Sequence, residues 1–171
     1  MVEEVAEPEV VTVRSQPLTA RAWRPFGWIP VPDTDPADGS GALEFVWDDA
    51  HVNFISHQPG EVTHMGRGRL LCDRMYRHDT HTQTLMPLNC DSVVAVAPAE
   101  VDFADPIDLD SIRAFRLRPL DCFVLARGTW HWGPFPLGDE TVRMWNLQGR
   151  RYADDNAHVD LAPRATVEIS V

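Results

Sequence analysis

At 171 residues the chain has room for one sizeable hydrophobic core, and 44% apolar with 24% charged residues is the composition of an ordinary soluble globular protein. A net charge of −11 argues against nucleic acid or an anionic membrane surface as the main partner, and it obliges any anionic ligand to find local positive charge on an arginine or a metal. No basic-then-apolar leader opens the chain and no apolar run approaches the ~20 residues that span a bilayer, so a cytoplasmic protein is expected.

Residues 1–9 read as a loose acidic lead-in and residues 10–171 as a single domain. Val10 to Arg14 alternates β-branched residues and reads as a first strand, one that could pair at a barrel edge with a second copy. Thr19 is placed to cap a short helical turn that Pro25-Phe26-Gly27 stops, and Asp33 to Gly41, nearly devoid of apolar residues, reads as an exposed loop. Short strand-like runs follow at Leu43–Trp47, His51–His57, Leu70–Tyr76, Thr84–Leu88 and Val93–Ala97, separated by turn residues such as Gln58-Pro59-Gly60 and Gly66-Arg67-Gly68. Asp105 to Phe115 holds one further helical turn, and Cys122–Leu125, Trp130–Phe135 and Thr141–Leu147 complete the strands. The expected fold is all-β, a barrel or sandwich with one or two short helices. Three cysteines, Cys72, Cys90 and Cys122, lack a C-x-x-C spacing and are expected as free thiols in a reducing compartment.

The chemistry centres on two histidine clusters. His78 and His81 lie in Met75–Leu88 with Gln83 close behind, and His131 lies in Ala126–Gly133 just past the turn glycine Gly128. Imidazole nitrogens suit divalent nickel, zinc, manganese or iron, and the same two groups, His78 and His131, can act as base and acid without a metal. The alternative is that they satisfy buried hydrogen bonds inside the barrel. On a regular strand His78 and His81 face opposite sides, so both reach one pocket only if the chain bends between them. Arg77 and Arg127 each adjoin a candidate histidine, and either guanidinium could grip a substrate carboxylate. Trp130 and Trp132 alternate with His131 and are expected in the core or on the exterior. His51, Asn53 and His57 would share one strand face; His64 and His158 are read as structural. No phosphate loop, G-x-S-x-G elbow or H-E-x-x-H is present.

The spacing resembles the cupin pattern H-x-H-x(3,4)-E with P-x-G-x-x-H, in which His78, Gln83 and His131 would be the metal ligands and Tyr76 falls where the first histidine stands. Gln83, an amide in the place of a carboxylate, would hold a cation more weakly. Further motifs narrow the resemblance. Pro17 to Gly27 is similar to the P-L-T-x-x-A-F-x-P-F-G signature of ureidoglycolate lyases; Arg77 to Pro87 to their R-H-P-x-x-x-Q-x-F-x-P; Ile112 to Phe115 to their L-R-A-F; Arg127 to His131 to their R-G-x-W-H; and Asn156 to their terminal D-N-C. Departures are Asp79 for proline, Trp132 for a second histidine, Ala157 for cysteine, and a poor match over Leu43–Asp73. The resemblance implies a double-stranded β-helix, usually a homodimer, splitting ureidoglycolate into glyoxylate and urea, with an associated divalent metal. With it, the catalytic candidates are His78, His131, Arg77 and Arg127, His81 is a spare acid–base group where the family pattern does not demand a histidine, and Tyr76, Gln83 and Asn156 are expected against a small anionic substrate. Two other readings stand beside it: a cupin that binds a small ligand without turning it over, and an enzyme of the same barrel with an altered substrate.

Overall fold

Alternation in the first described segment builds strand β1 (Glu9–Pro17), with Val11, Val13 and Ser15 turned inward and Val10, Thr12 and Arg14 outward. The computed structural model describes residues 9–33, 41–47, 49–162 and 164–171. Residues 1–8 of the expected lead-in and most of the expected Asp33–Gly41 loop lie outside these residues, and Glu9 already belongs to β1. Thr19 caps α1 (Ala20–Trp23) by accepting the Ala22 amide at 3.3 Å, and Trp23 is fully buried, its indole N–H donating to the Val124 carbonyl at 2.9 Å.

The remaining strands are β2 (Gly27–Trp28), β3 (Ala50–His57), β4 (His64–Gly66), β5 (Arg69–Cys72), β6 (Arg74–Arg77), β7 (Gln83–Pro87), β8 (Ser92–Ala97), β9 (Arg113–Leu117), β10 (Phe123–Leu125), β11 (Trp130–Pro136), β12 (Val142–Gly149), β13 (Ala157–Asp160) and β14 (Ala165–Ser170). Short 3₁₀ turns occupy Pro59–Glu61 and Pro106–Ser111. One sheet runs β13-β6-β11-β8-β9-β1-β14-β5-β4 and the other β2-β10-β7-β12-β3. The two curl into a double-stranded β-helix of the cupin type. β8 explains its unbroken apolar sequence by being buried on both faces: Val93, Ala95 and Ala97 pack into one core with Trp130, Trp132 and Ile169, while Val94 and Val96 pack into a second with Trp23, Phe115 and Phe123. Both tryptophans beside His131 therefore sit in the core. Among the described residues no helix is long and apolar enough to cross a membrane.

β1 pairs in parallel with β14 along Glu9–Arg14 and with β9 along Ser15–Pro17, each stretch having one partner strand. Two expectations are corrected. Leu43–Trp47 is not a strand; only Phe45 bridges, to His81, because its partner is a bent connector rather than a strand. Leu70–Tyr76 breaks at Asp73 into β5, which pairs with β14, and β6, which pairs with β11 and β13. The shared face on β3 is as expected: His51, Asn53, Ile55 and His57 point inward, and Val52 and Phe54 are exposed.

Candidate active site

β6 ends at Arg77 and β7 begins at Gln83, so both N-terminal candidate histidines lie on a connector, His78–Thr82, whose course is set by one carboxylate. Asp155 Oδ1 accepts the Asp79 amide at 2.9 Å, and Oδ2 accepts the Thr80 amide at 2.8 Å and the Thr80 hydroxyl at 2.5 Å. His81 Nδ1 lies 3.3 Å from the same Oδ2, and the Asp155 backbone carbonyl accepts from His78 Nδ1. This bracket supplies the bend, and His78 and His81 are both buried with ring centroids 4.6 Å apart. The second centre is tied to the first by Gly128, whose amide donates to the His78 carbonyl at 2.7 Å from a backbone with φ +75°, a conformation that favours glycine. His131 follows on β11, its ring 5.3 Å from that of His78.

A carbonyl accepts only from an N–H, so the partners fix the tautomers: His78 gives its Nδ1 proton to Asp155 and His131 gives its own to Thr129 at 3.2 Å, leaving both Nε2 atoms as bases. Burial holds all three imidazoles below their ordinary range. His131 falls to about 3, with His78 adding to the burial effect, and His81 to about 4 for the same two reasons. His78 is lowered by burial too, against opposition from the Asp155 carbonyl and the Asp155 and Asp79 charges. Burial alone would raise Asp155, but the Thr80 hydroxyl and the Asp79 and Thr80 amides reverse it, so it stays ionised. The cluster is thus neutral at pH 7 beside one carboxylate.

This neutrality carries a pH signature. A histidine with folded pKa below its unfolded ~6.5 leaves the unfolded chain binding more protons, so stability is complete above pH 6.5 and is lost as pH falls toward the folded values near 4 and 3. Each such histidine contributes a slope approaching ~1.4 kcal/mol per pH unit in that window. Calorimetric melting at pH 8, 6 and 5 is expected to show a loss of about 2 kcal/mol at pH 6 and about 4 kcal/mol at pH 5 relative to pH 8 from His81 and His131 together; a melting temperature flat from 8 to 5 would contradict the neutral state of these histidines.

His78 and His131 open onto a cavity of about 590 Å³ that Tyr76, Gln83, Gln148 and Asn156 also line. His81 does not reach it: it sits behind His78 against Phe45, Trp47 and Gly149, where a Cβ on Gly149 would come within 2.7 Å of His81 Nδ1. Arg77 and Arg127 are likewise outside the cavity lining, which corrects the expectation that either meets the substrate carboxylate. Alternation along β6 turns Arg77 away from Tyr76, to stack over the Trp130 ring at 4.6 Å with Nε 3.2 Å from Asp79 Oδ1, off the line of a hydrogen bond. Arg127 donates to the Asp79 carbonyl at 2.9 Å and pairs with Glu44 at 3.0 Å. Both arginines clamp the connector from outside. Sequence reasoning missed Asp155 and Arg74. Asp155 is the aspartate of the D-N-C match around Asn156, which was given no role of its own, and Arg74 shares the alternating face of Tyr76 and was within reach of that argument.

Gln83 donates to Asn146 Oδ1 at 2.9 Å and to Gln148 Oε1 at 3.2 Å, and Asn146 in turn donates to Asn53 Oδ1 at 2.7 Å. Its carbonyl Oε1 and His81 Nε2 are left as buried acceptors with no hydrogen-bond partner. Unpaired buried lone pairs next to neutral imidazoles fit a divalent cation, which needs deprotonated donors. His78, His81 and Asp155 also present ligand atoms within 4.8 Å of one another. The carboxylate oxygens of Asp155 are already engaged by the connector's donors, so of these three the histidines are the better suited to a metal.

A histidine-lined cavity inside a double-stranded β-helix is the arrangement of a cupin. The chain belongs to the ureidoglycolate lyase family, whose profile, described as Ureidoglycolate lyase, matches residues 10–168. No curated protein matches. Among solved structures it is similar to oxalate decarboxylase from Lactobacillus farciminis in a formate complex, at 14% identity and TM-score 0.42 over 78% of this chain and 30% of that one. It is also similar to vicilin from Corylus avellana (hazelnut), at 13% identity and TM-score 0.36 over 85% of this chain and 42% of that one. The chain thus spans less than half the length of either structure.

Proposed function

We propose that this protein is a lyase that splits ureidoglycolate into glyoxylate and urea, acting in the cytoplasm. The observation that carries the reading is the pair of buried, neutral imidazoles, His78 and His131, whose free Nε2 atoms face a ligand-sized cavity in a chain of this family. Ureidoglycolate is a hemiaminal, HO–CH(COO⁻)–NH–CO–NH₂. Its cleavage takes the hydroxyl proton, closes C=O, breaks C–N and protonates the departing nitrogen, so no net proton is exchanged. A base that begins neutral suits this sequence. His78 Nε2 accepts the hydroxyl proton; its imidazolium is held by the Asp155 carbonyl and lies in the field of Asp79 and Asp155; and the same proton passes to the urea nitrogen as the C–N pair collapses onto it. His131 Nε2 and Gln83 Oε1 are acceptors for the substrate's ureido N–H groups, with Tyr76 and Asn156 as further polar contacts.

The same donors fit a divalent metal as an alternative to the metal-free arrangement: His78, His131 and Gln83 would then be its ligands in place of base and acceptors, and it would supply Lewis acidity toward an α-hydroxy-carboxylate. A homodimer is part of the reading. Among the described residues β3 pairs only with β12, leaving an edge on which Val52 and Phe54 are 54% and 72% exposed. The cavity of about 590 Å³ exceeds what a small acid fills and supports a second reading, the same chemistry on a larger ureido acid. Product analysis decides between C–N lysis and amide hydrolysis: equal urea and glyoxylate without ammonia is expected, and ammonia without urea would overturn the assignment.

A further inference from the structure

Fifteen basic residues and no lysine appear in the chain, and among the described residues Arg74 is the only arginine that lines the cavity. It stands on the same face of β6 as Tyr76, two residues earlier, while Met75 between them is buried in the core. Tyr76 is in register with His131, so Arg74 is offset from the histidine cluster by about 7 Å along the strand, a spacing a small acid can bridge. One edge of its guanidinium is used: Nε and Nη2 donate to Asp73 Oδ2 at 3.3 and 2.9 Å. That pair is half-exposed on both sides, a weak and solvent-screened contact that orients the side chain without consuming its charge. Asp73, with the Tyr76 hydroxyl second, pushes the guanidinium still further above neutrality. Around it the histidine end of the cavity is uncharged at neutral pH and the protein as a whole carries −11. The lining also holds two carboxylates, Asp73 against Arg74 itself and Glu61 against His57 at 2.7 Å, so Arg74 is the one permanent positive charge that an entering anion meets there.

We propose that Arg74 anchors the carboxylate of the substrate, so that the cavity selects ureido acids over neutral ureas; this deepens the lyase reading and rests on it. The guanidinium N–H groups left over by Asp73 and the Tyr76 hydroxyl take the carboxylate while the carbinol extends toward His78 and the ureido group toward His131. The charge that Arg77 and Arg127 spend on Asp79 and Glu44 is thereby supplied by Arg74, on the face of β6 opposite Arg77.

The test uses the whole protein with its metal content measured, and two inert probes: ureidoacetate, which lacks the hydroxyl needed for cleavage, and its uncharged amide. Trp132 lines the cavity, so quenching of tryptophan fluorescence reports binding. The wild type is expected to bind the acid at least ten-fold tighter than the amide. Arg74→Gln should weaken the acid ten-fold or more and leave the amide within two-fold, with Arg74→Lys in between because it keeps charge but loses the fork. Equal weakening of both probes, no change in Arg74→Gln, or a wild type without preference for the acid would overturn the anchor. Urea release from ureidoglycolate is followed in parallel. Turnover with an unaffected Arg74→Gln variant sinks the anchor and keeps the lyase; absent turnover with acid binding lost in Arg74→Gln does the reverse. Where turnover is present, the anchor predicts a ten-fold rise in KM with kcat nearly unchanged.

Discussion

Replacing His78 with glutamine lowers kcat for urea release by roughly 10²–10⁴-fold, the range that a positioned general base contributes. The expectation follows from three features of this one imidazole. Its Nδ1 proton is committed to the Asp155 carbonyl, so Nε2 is the lone pair that faces the cavity. Of the three clustered histidines it is the one whose loss of basicity is most opposed, by the Asp155 carbonyl and by the charges of Asp155 and Asp79. Its ring also touches both other imidazoles, so it is the natural relay between them. Glutamine can keep a side-chain N–H near the Asp155 carbonyl and a similar volume, so melting should shift far less than activity. His131→Gln is expected to cost less than His78→Gln in kcat and more in KM, since it accepts from the substrate without moving the proton. A His78→Gln enzyme within three-fold of wild type would remove His78 from the chemistry.

Asp155→Ala is the change with the largest expected effect on folding. It strips partners from the Asp79 amide, the Thr80 amide and the Thr80 hydroxyl at once, in a part-buried connector. At ~1–3 kcal/mol for each unsatisfied group, with some relief from water, the loss is about 3–5 kcal/mol. The same change frees the bend that turns His78 and His81 inward, so activity should fall with stability, and bound metal, where present, should be lost as well. Asp155→Asn keeps acceptor capacity on one oxygen and is expected to fall midway. Denaturant titrations of the three proteins check this ordering; a loss under 1 kcal/mol for Asp155→Ala would mean that the connector holds its shape without the carboxylate.

Much of the barrel was legible because the runs His51–His57, Thr84–Leu88, Val93–Ala97 and Trp130–Phe135 combine alternation or continuous β-branched burial with turn residues at their ends. The N-cap at Thr19 was readable for the same local reason. The site was legible only in part. His78, His131, Gln83, Tyr76 and Asn156 line one cavity, as their motifs suggested, but the bend that brings His81 against His78 is imposed from 74 positions away by Asp155, and nothing local announces it. The arginines were misjudged through adjacency in sequence. Arg77 and Arg127 neighbour the histidines along the chain, yet strand alternation sends Arg77 to the opposite face and a salt bridge to Glu44 holds Arg127 outside. The partners of β1 were not legible for a topological reason: they are β14 and β9, which lie far along the chain.

The most direct measurement is the rate of urea release from ureidoglycolate at pH 7.5, set against the spontaneous decay of the same solution and made on protein of known metal content. The account predicts catalysed release with urea and glyoxylate in equal amounts, falling as pH drops below the range in which His78 stays neutral. Decay no faster than in buffer, at every pH tested and with the barrel folded, would contradict it.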